Sequence, residues 1–328
     1  MGTASWDRAQ RKLDRMLDPG GPARQMKVTD AIAHYMDDCE IRGLSSSTIC
    51  SYKKTLDHFR EFCIHEAYPM LWSVTLEALT AFRASRKGRH GAAAKSSTLR
   101  KEIECLRAFF AFSLERGWAE KNVAKKLRPP KDFGPVTMPF EPAEIKRILA
   151  ACQAIGNREH PLIVRARIRI DAFIRLLLYS GLRISDACAL EKSRLNVETG
   201  HLMLRQMKTG VLLSVKLPES LVRDLSNLPG KFFFWSGTGK LATVVGNLRQ
   251  TISSVLKIAK VTGHPHRFRD TFAVSLLEQD VPIRTVQLLL GHSSVRTTEK
   301  HYAPFVQSQQ RLLDAAVGKL HFYERVAV

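Results

Sequence analysis

Residues 128–142 read RPPKDFGPVTMPFEP, five prolines in one short stretch. Each proline removes a backbone donor and turns the residue before it away from helix. The stretch therefore predicts an extended, semi-rigid linker, and the chain reads differently on its two sides. Upstream, apolar residues recur at steps of three and four: Ile49, Tyr52, Leu56, Phe59 and Cys63; then Leu76, Leu79 and Phe82; then Leu99, Ile103, Leu106, Phe110 and Leu114. That period marks one buried face on each of several helices. Thr29 is placed to cap the first of them. RASRKGRHGAAAKSS (83–97) is basic and glycine-containing, and reads as a loop. Four short helices with lysines and arginines on their outer faces could grip a polyanion, or could be a helical bundle with a solvated surface.

Downstream the pattern is mixed. Pro142 suits the first turn of a helix over AEIKRILAAC. An apolar helix carrying Ile168, Phe173, Ile174, Leu177 and Leu178 stops at Ser180-Gly181. HLMLRQMKTGVLLSVKLP (201–218) places two apolar-rich runs around a turn with Gly210, a β-hairpin pattern. KFFFWSGTGK (231–240) predicts a further strand and loop, and helices follow. The fold class expected is mainly α with a small β-sheet (α+β), in two domains.

Charge narrows the function. Lys and Arg number 51 against 31 Asp and Glu, a formal +20, with a pI near 10.0. Such a field draws polyanions, nucleic acid before anionic membrane, although a basic protein without such a partner would look the same. No apolar run approaches the ~20 residues a membrane helix needs. The start of the chain has neither the apolar segment of a secretory signal nor, with Trp6 at the key position, a myristoylation site. The six cysteines show no CxxC spacing and read as reduced, mostly buried thiols of a cytosolic protein. SGTGKL fails the nucleotide phosphate-loop pattern at Phe234 and Leu241. No cofactor and no metal are expected.

Six polar residues stand where the pattern is punctuated: Arg183 after the break in YSGLRISDACAL, Lys208 in the hairpin turn, His266 and Arg269 in HPHRFRDTFAVSLL, His292 after Gly291, and Tyr302 ten positions on. Singly, each is an ordinary surface or packing residue. Together they suit one chemistry. Arginines and histidines can clamp a tetrahedral phosphate, lysine can protonate a leaving oxygen, and tyrosine can be a covalent nucleophile if neighbouring cations help it ionise.

In this order the residues resemble the tyrosine recombinase, or phage integrase, family: Gly181-Leu182-Arg183, a hairpin lysine at Lys208, His266-Arg267-Phe268-Arg269, Gly291-His292 and Tyr302. The resemblance covers about residues 26–305. Asp186 stands where members often carry an acidic residue supporting the first arginine. Two departures are visible. The tyrosine follows the histidine by ten positions where nine is commoner, and Asp270 follows Arg269 where many members have histidine.

The resemblance implies a site-specific recombinase that cuts and rejoins double-stranded DNA at attachment sites through a 3′-phosphotyrosine, without ATP. Tyr302 would attack. Arg183, Arg269 and His292 would hold the phosphate, Lys208 would serve as general acid, and His266 would be general base or positioning group. Residues 1–25 would be a short extension, 26–127 a core-binding domain, 128–142 the linker, 143–305 the catalytic domain and 306–328 a tail helix. The two domains would close on DNA as a C-shaped clamp, with four protomers on two duplexes, a dimer per site. The tail would dock on a neighbouring protomer or on its own domain. Accessory DNA-bending proteins and a bacterial, nucleoid-associated cytoplasmic location would fit. Two alternatives remain open: a non-catalytic regulatory relative, and an enzyme of the same chemistry that relaxes DNA or resolves telomeres.

Overall fold

The computed structural model describes residues 26–88, 91, 92, 94–131, 138–156, 160–292 and 294–302. The chain divides into two compact units between Gly134 and Pro135. The expected amino-terminal extension and the tail helix lie outside the described residues. No described helix is long and apolar enough to cross a membrane.

The first unit holds α1 (Val28–Ile41), α2 (Ser46–His65), α3 (Leu76–Ser85) and α4 (Ser96–Glu115). The side chains of Ser45 and Thr75 cap α2 and α3 by accepting the N–H of Thr48 and of Ala78. The start of α1 is set differently from the expected Thr29 cap. Val28 N–H donates to the Pro69 carbonyl and Leu71 N–H to that of Met26, at 2.9 Å each. Backbone pairing thus fixes the entry two residues early, with Lys27 as the residue before the helix, and the Thr29 hydroxyl donates to Asp30 instead. The helices close around Phe59, which meets the Phe82 ring edge-on at 5.4 Å and packs on Phe109 and Phe110. Leu114, expected on the inner face, is 42% exposed on the last turn of α4. Where the predicted loop begins, Arg86 folds inward on buried Glu102, 2.8 Å away, and on His58.

The second unit holds α5 (Pro142–Gln153), α6 (Pro161–Ser180), α7 (Ile184–Cys188), β1 (His201–Arg205), β2 (Leu212–Lys216), α8 (Glu219–Ser226), α9 (Leu241–Ile258), α10 (His266–Glu278), α11 (Ile283–Leu290) and α12 (Val295–Tyr302). The core is built on α6, buried from Ile170 to Leu177; Ile168 lies before that stretch and is 48% exposed. β1 and β2 pair antiparallel, His201 opposite Lys216 and Arg205 opposite Leu212. Leu202, Leu204, Leu213 and Val215 point inward, as the strand period of two requires.

The run KFFFWSGTGK forms no strand. Phe232 makes one isolated bridge to Glu191, and Phe233 and Phe234 are both buried. Consecutive aromatics that both face the core cannot follow the alternation of a strand, and Phe234 meets Phe173 edge-on at 4.7 Å. The segment plugs the core rather than extending the sheet.

The linker enters this unit through Phe140. Its ring packs on Phe268 at 4.8 Å, and its N–H donates to Thr271. Arg267 lies 4.2 Å over that ring and donates to the carbonyls of Met138 and Pro139 and to Glu144. The residue inside the His-x-x-Arg motif thereby anchors the end of the linker to α10.

Candidate active site

Two glycine turns and two helices bring the motif residues together. α6 ends at Gly181 with φ +60, a left-handed conformation that favours glycine. A Cβ there would lie 2.4 Å from the Phe272 ring. The chain can therefore turn tightly against α10 and present Arg183 as the residue before α7. α11 ends the same way at Gly291, φ +60, and presents His292. His266 and Arg269 lie on the first turn of α10, and Tyr302 is the last described residue of α12.

Arg269 ties the two glycine turns to one another. It is 1% exposed and donates to the Gly181 carbonyl at 2.7 Å and to the Leu290 carbonyl at 2.6 Å. One guanidinium thus fixes both turns that carry Arg183 and His292. Burial pushes its pKa down to about 10, with Arg183 adding to the fall. It stays protonated at neutral pH, a buried cation beside a second cation, and an anion there would be strongly favoured.

A residue missed by sequence reasoning completes the frame. Gln206 is 1% exposed. Its Oε1 accepts from Arg183 and, at 3.0 Å, from the Thr209 hydroxyl. Its Nε2 donates to the Leu290 carbonyl at 2.8 Å. A legible signal existed: Gln206 continues the inward phase of Leu202 and Leu204, and a polar residue in that phase needs a buried partner.

Lys208 is exposed between two tethered neighbours. Met207 N–H donates to Asp186 Oδ1 at 3.0 Å, and the Thr209 hydroxyl reaches the Gly291 carbonyl at 3.4 Å. Asp186 therefore holds the hairpin that carries the lysine, and Arg183 donates to Gln206 Oε1. Burial raises the Asp186 pKa, opposed by the Met207 hydrogen bond, Arg183 and Arg269.

Tyr302 is 3% exposed, and its ring lies parallel to that of His292 at 6.4 Å. The ten-position spacing thus keeps the tyrosine beside the histidine. Buried Thr298, one turn before Tyr302, pairs with His292 Nδ1 at 2.9 Å. The Tyr302 hydroxyl donates to Asp270 Oδ1 at 3.0 Å. Burial raises the phenol pKa and Asp270 raises it further, while Arg269 opposes. His266 is 57% exposed, with Nε2 at 3.8 Å from the same carboxylate oxygen. The protein packed around the imidazole lowers its pKa, Arg269 among the causes, with Asp270 opposing. Among the described residues no group of three or more His, Cys, Asp or Glu could hold a metal ion.

The family model described as the phage integrase family matches residues 139–307, and the phage integrase N-terminal SAM-like domain matches 32–117. The chain belongs to the phage integrase family. Tyrosine recombinase XerA of Pyrococcus furiosus is 30% identical, over 89% of this chain and 96% of its own length. Tyrosine recombinase XerD of Caulobacter vibrioides is 26% identical, over 83% and 92%. Among solved structures, a lambda integrase dimer bound to a COC′ core site superposes with TM-score 0.65 at 18% identity, covering 82% of this chain and 96% of that one. The Tn1549 transposon integrase with a circular intermediate DNA gives TM-score 0.65 at 18% identity, covering 90% and 100%. The fold is the mainly helical, two-domain one expected, and the protein is an enzyme of the tyrosine recombinase class, a site-specific recombinase.

Proposed function

We propose that this recombinase cuts and rejoins double-stranded DNA at specific attachment sites through a 3′-phosphotyrosine at Tyr302. The observation that carries the proposal is the hydrogen-bonded frame of Arg269 and Gln206, which gathers Arg183, His292 and the Lys208 hairpin around the turn at Leu290-Gly291. Cations are concentrated where a phosphodiester's charge would grow on attack.

Tyr302 attacks phosphorus and the 5′ oxygen leaves. Arg183, Arg269 and His292 stabilise the non-bridging oxygens, as donors preset around a developing oxyanion do. Thr298 on Nδ1 turns Nε2 of His292 to that task. Lys208 protonates the leaving oxygen, and His266 is a positioning group at the mouth of the site. The phosphotyrosine retains the energy of the broken ester, so a 5′-hydroxyl can reverse the step with neither ATP nor a metal. The basic helical unit at 26–127 and the catalytic unit from 143 grip the duplex together. Two protomers act per site and four per recombination event, the assembly named for a lambda integrase tetramer on a Holliday junction.

A nicked suicide substrate bearing the native attachment site tests this reading. The wild type should form an adduct that survives a denaturing gel, and Tyr302→Phe should bind the DNA without forming it. Wild-type binding with no adduct would favour a regulatory relative. Nicking and resealing of supercoiled plasmid without strand exchange would favour a relaxing enzyme.

A further inference from the structure

The nucleophile's proton has a definite holder. A phenol carries one proton, and that of Tyr302 points to Asp270 Oδ1 at 3.0 Å. Asp270 is itself shielded, with 12% of its side chain exposed. One helical turn earlier on α10, His266 Nε2 lies 3.8 Å from the same oxygen and opens to solvent. The carboxylate therefore sits between the attacking atom and the imidazole. His266 was the acid–base candidate in the sequence, yet the hydroxyl has no second proton to donate to it.

We propose that Asp270 is the proton acceptor for Tyr302 during DNA cleavage. This rests on the phosphotyrosine reading. As Oη bonds to phosphorus, the Oη–H bond breaks and the proton moves to the Asp270 carboxylate. The P–O5′ bond breaks in the same step, and the 5′ oxygen takes a proton from Lys208. In rejoining, the 5′-hydroxyl attacks phosphorus and gives its proton to the now neutral Lys208, the P–Oη bond breaks, and Asp270 returns the proton to Oη. In the resting enzyme burial, and after it the carboxylate's charge, favour the protonated phenol. Aspartate at this position thus does two jobs: it seats the tyrosine and it receives its proton.

The test uses the full chain on the nicked suicide substrate. Asp270→Asn keeps the shape and an oxygen that can accept the Tyr302 hydrogen bond, but it is not a base. DNA binding should be unchanged, and adduct formation should slow by roughly 100-fold or more, the contribution expected of a positioned base. A substrate with sulfur at the bridging 5′ position leaves without a proton. It should restore Lys208→Ala and leave Asp270→Asn slow. Asp270→Glu, which retains a carboxylate, should be faster than Asp270→Asn. Wild-type or higher rates in Asp270→Asn would overturn the assignment, the higher rate marking Asp270 as a restraint on the tyrosine. Rescue of Asp270→Asn by the sulfur substrate would overturn it too, as would Glu and Asn variants that bind DNA and are equally slow. Failure of the underlying reading looks different: the wild type itself would give no Tyr302-dependent adduct.

Discussion

Gly291→Ala should damage this enzyme through Gln206, and the size of the effect can be worked out. Two costs add. An alanine at φ +60 is strained by about 1–2 kcal/mol. Its Cβ would also lie 2.6 Å from the Gln206 amide. A glutamine tip can swing aside, but this one would release its hydrogen bonds with Arg183, Thr209 and the Leu290 carbonyl. A bond to a charged partner is worth about 1.5–3 kcal/mol and a neutral one about 0.5–1.5. The Leu290 carbonyl keeps its bond from Arg269, so a net loss of about 2–3 kcal/mol is reasonable. Gly291→Ala should therefore cost about 3–5 kcal/mol in all. Gln206→Ala should cost about 2–3 kcal/mol. The double variant should be no less stable than Gly291→Ala alone, because the bonds can be lost only once. Urea unfolding of the three variants gives the cycle, with a non-additivity of about 2–3 kcal/mol expected. Adduct formation should follow the same pattern, the double variant being no slower than the slower single one. Strict additivity, or a Gly291→Ala cost of strain alone, would refute the claim that Gln206 braces the site.

Two further predictions concern the first unit and the thiols. Glu102→Ala strands the Arg86 guanidinium, whose side chain is only 14% exposed. It should lower stability by about 3–5 kcal/mol, read by thermal and urea unfolding, while a change at exposed Glu104 should have little effect. Cys50 is the exposed cysteine, and the other five are buried. Burial pushes the thiols of Cys105, Cys152 and Cys188 up to about 12, so they stay protonated and unreactive at pH 8. One fast-reacting thiol, lost in Cys50→Ser, is expected with a maleimide or an aromatic disulfide reagent. Several fast thiols in the native protein would contradict this packing.

The helices that carry the site were legible because their signals are local. Apolar residues at steps of three and four gave α2, α4 and α6, and the break at Ser180-Gly181 gave the turn before Arg183. The hairpin was legible from two apolar-rich runs around Gly210. Two kinds of information were not. KFFFWSGTGK has the composition of a strand, yet Phe233 and Phe234 are both buried, and only the shape of the surrounding core decides that. The support of the site was hidden for the same reason. Asp186 accepts from Met207 on the hairpin, and Gln206 spans from the end of β1 to the end of α11, 84 positions away. Such contacts depend on which turns meet in space. Asp270 was visible as an unusual neighbour of Arg269, but its link to Tyr302 needed α12 laid against α10.

The most direct test of the account is the identity of the residue that becomes joined to DNA. The wild-type adduct, digested with nuclease and trypsin, can be analysed by mass spectrometry. The account predicts a nucleotide remnant on the peptide HYAPFVQSQQR, residues 301–311, attached at Tyr302. A remnant on LHFYER (320–325), which carries Tyr323, or on a serine or histidine elsewhere, would contradict it.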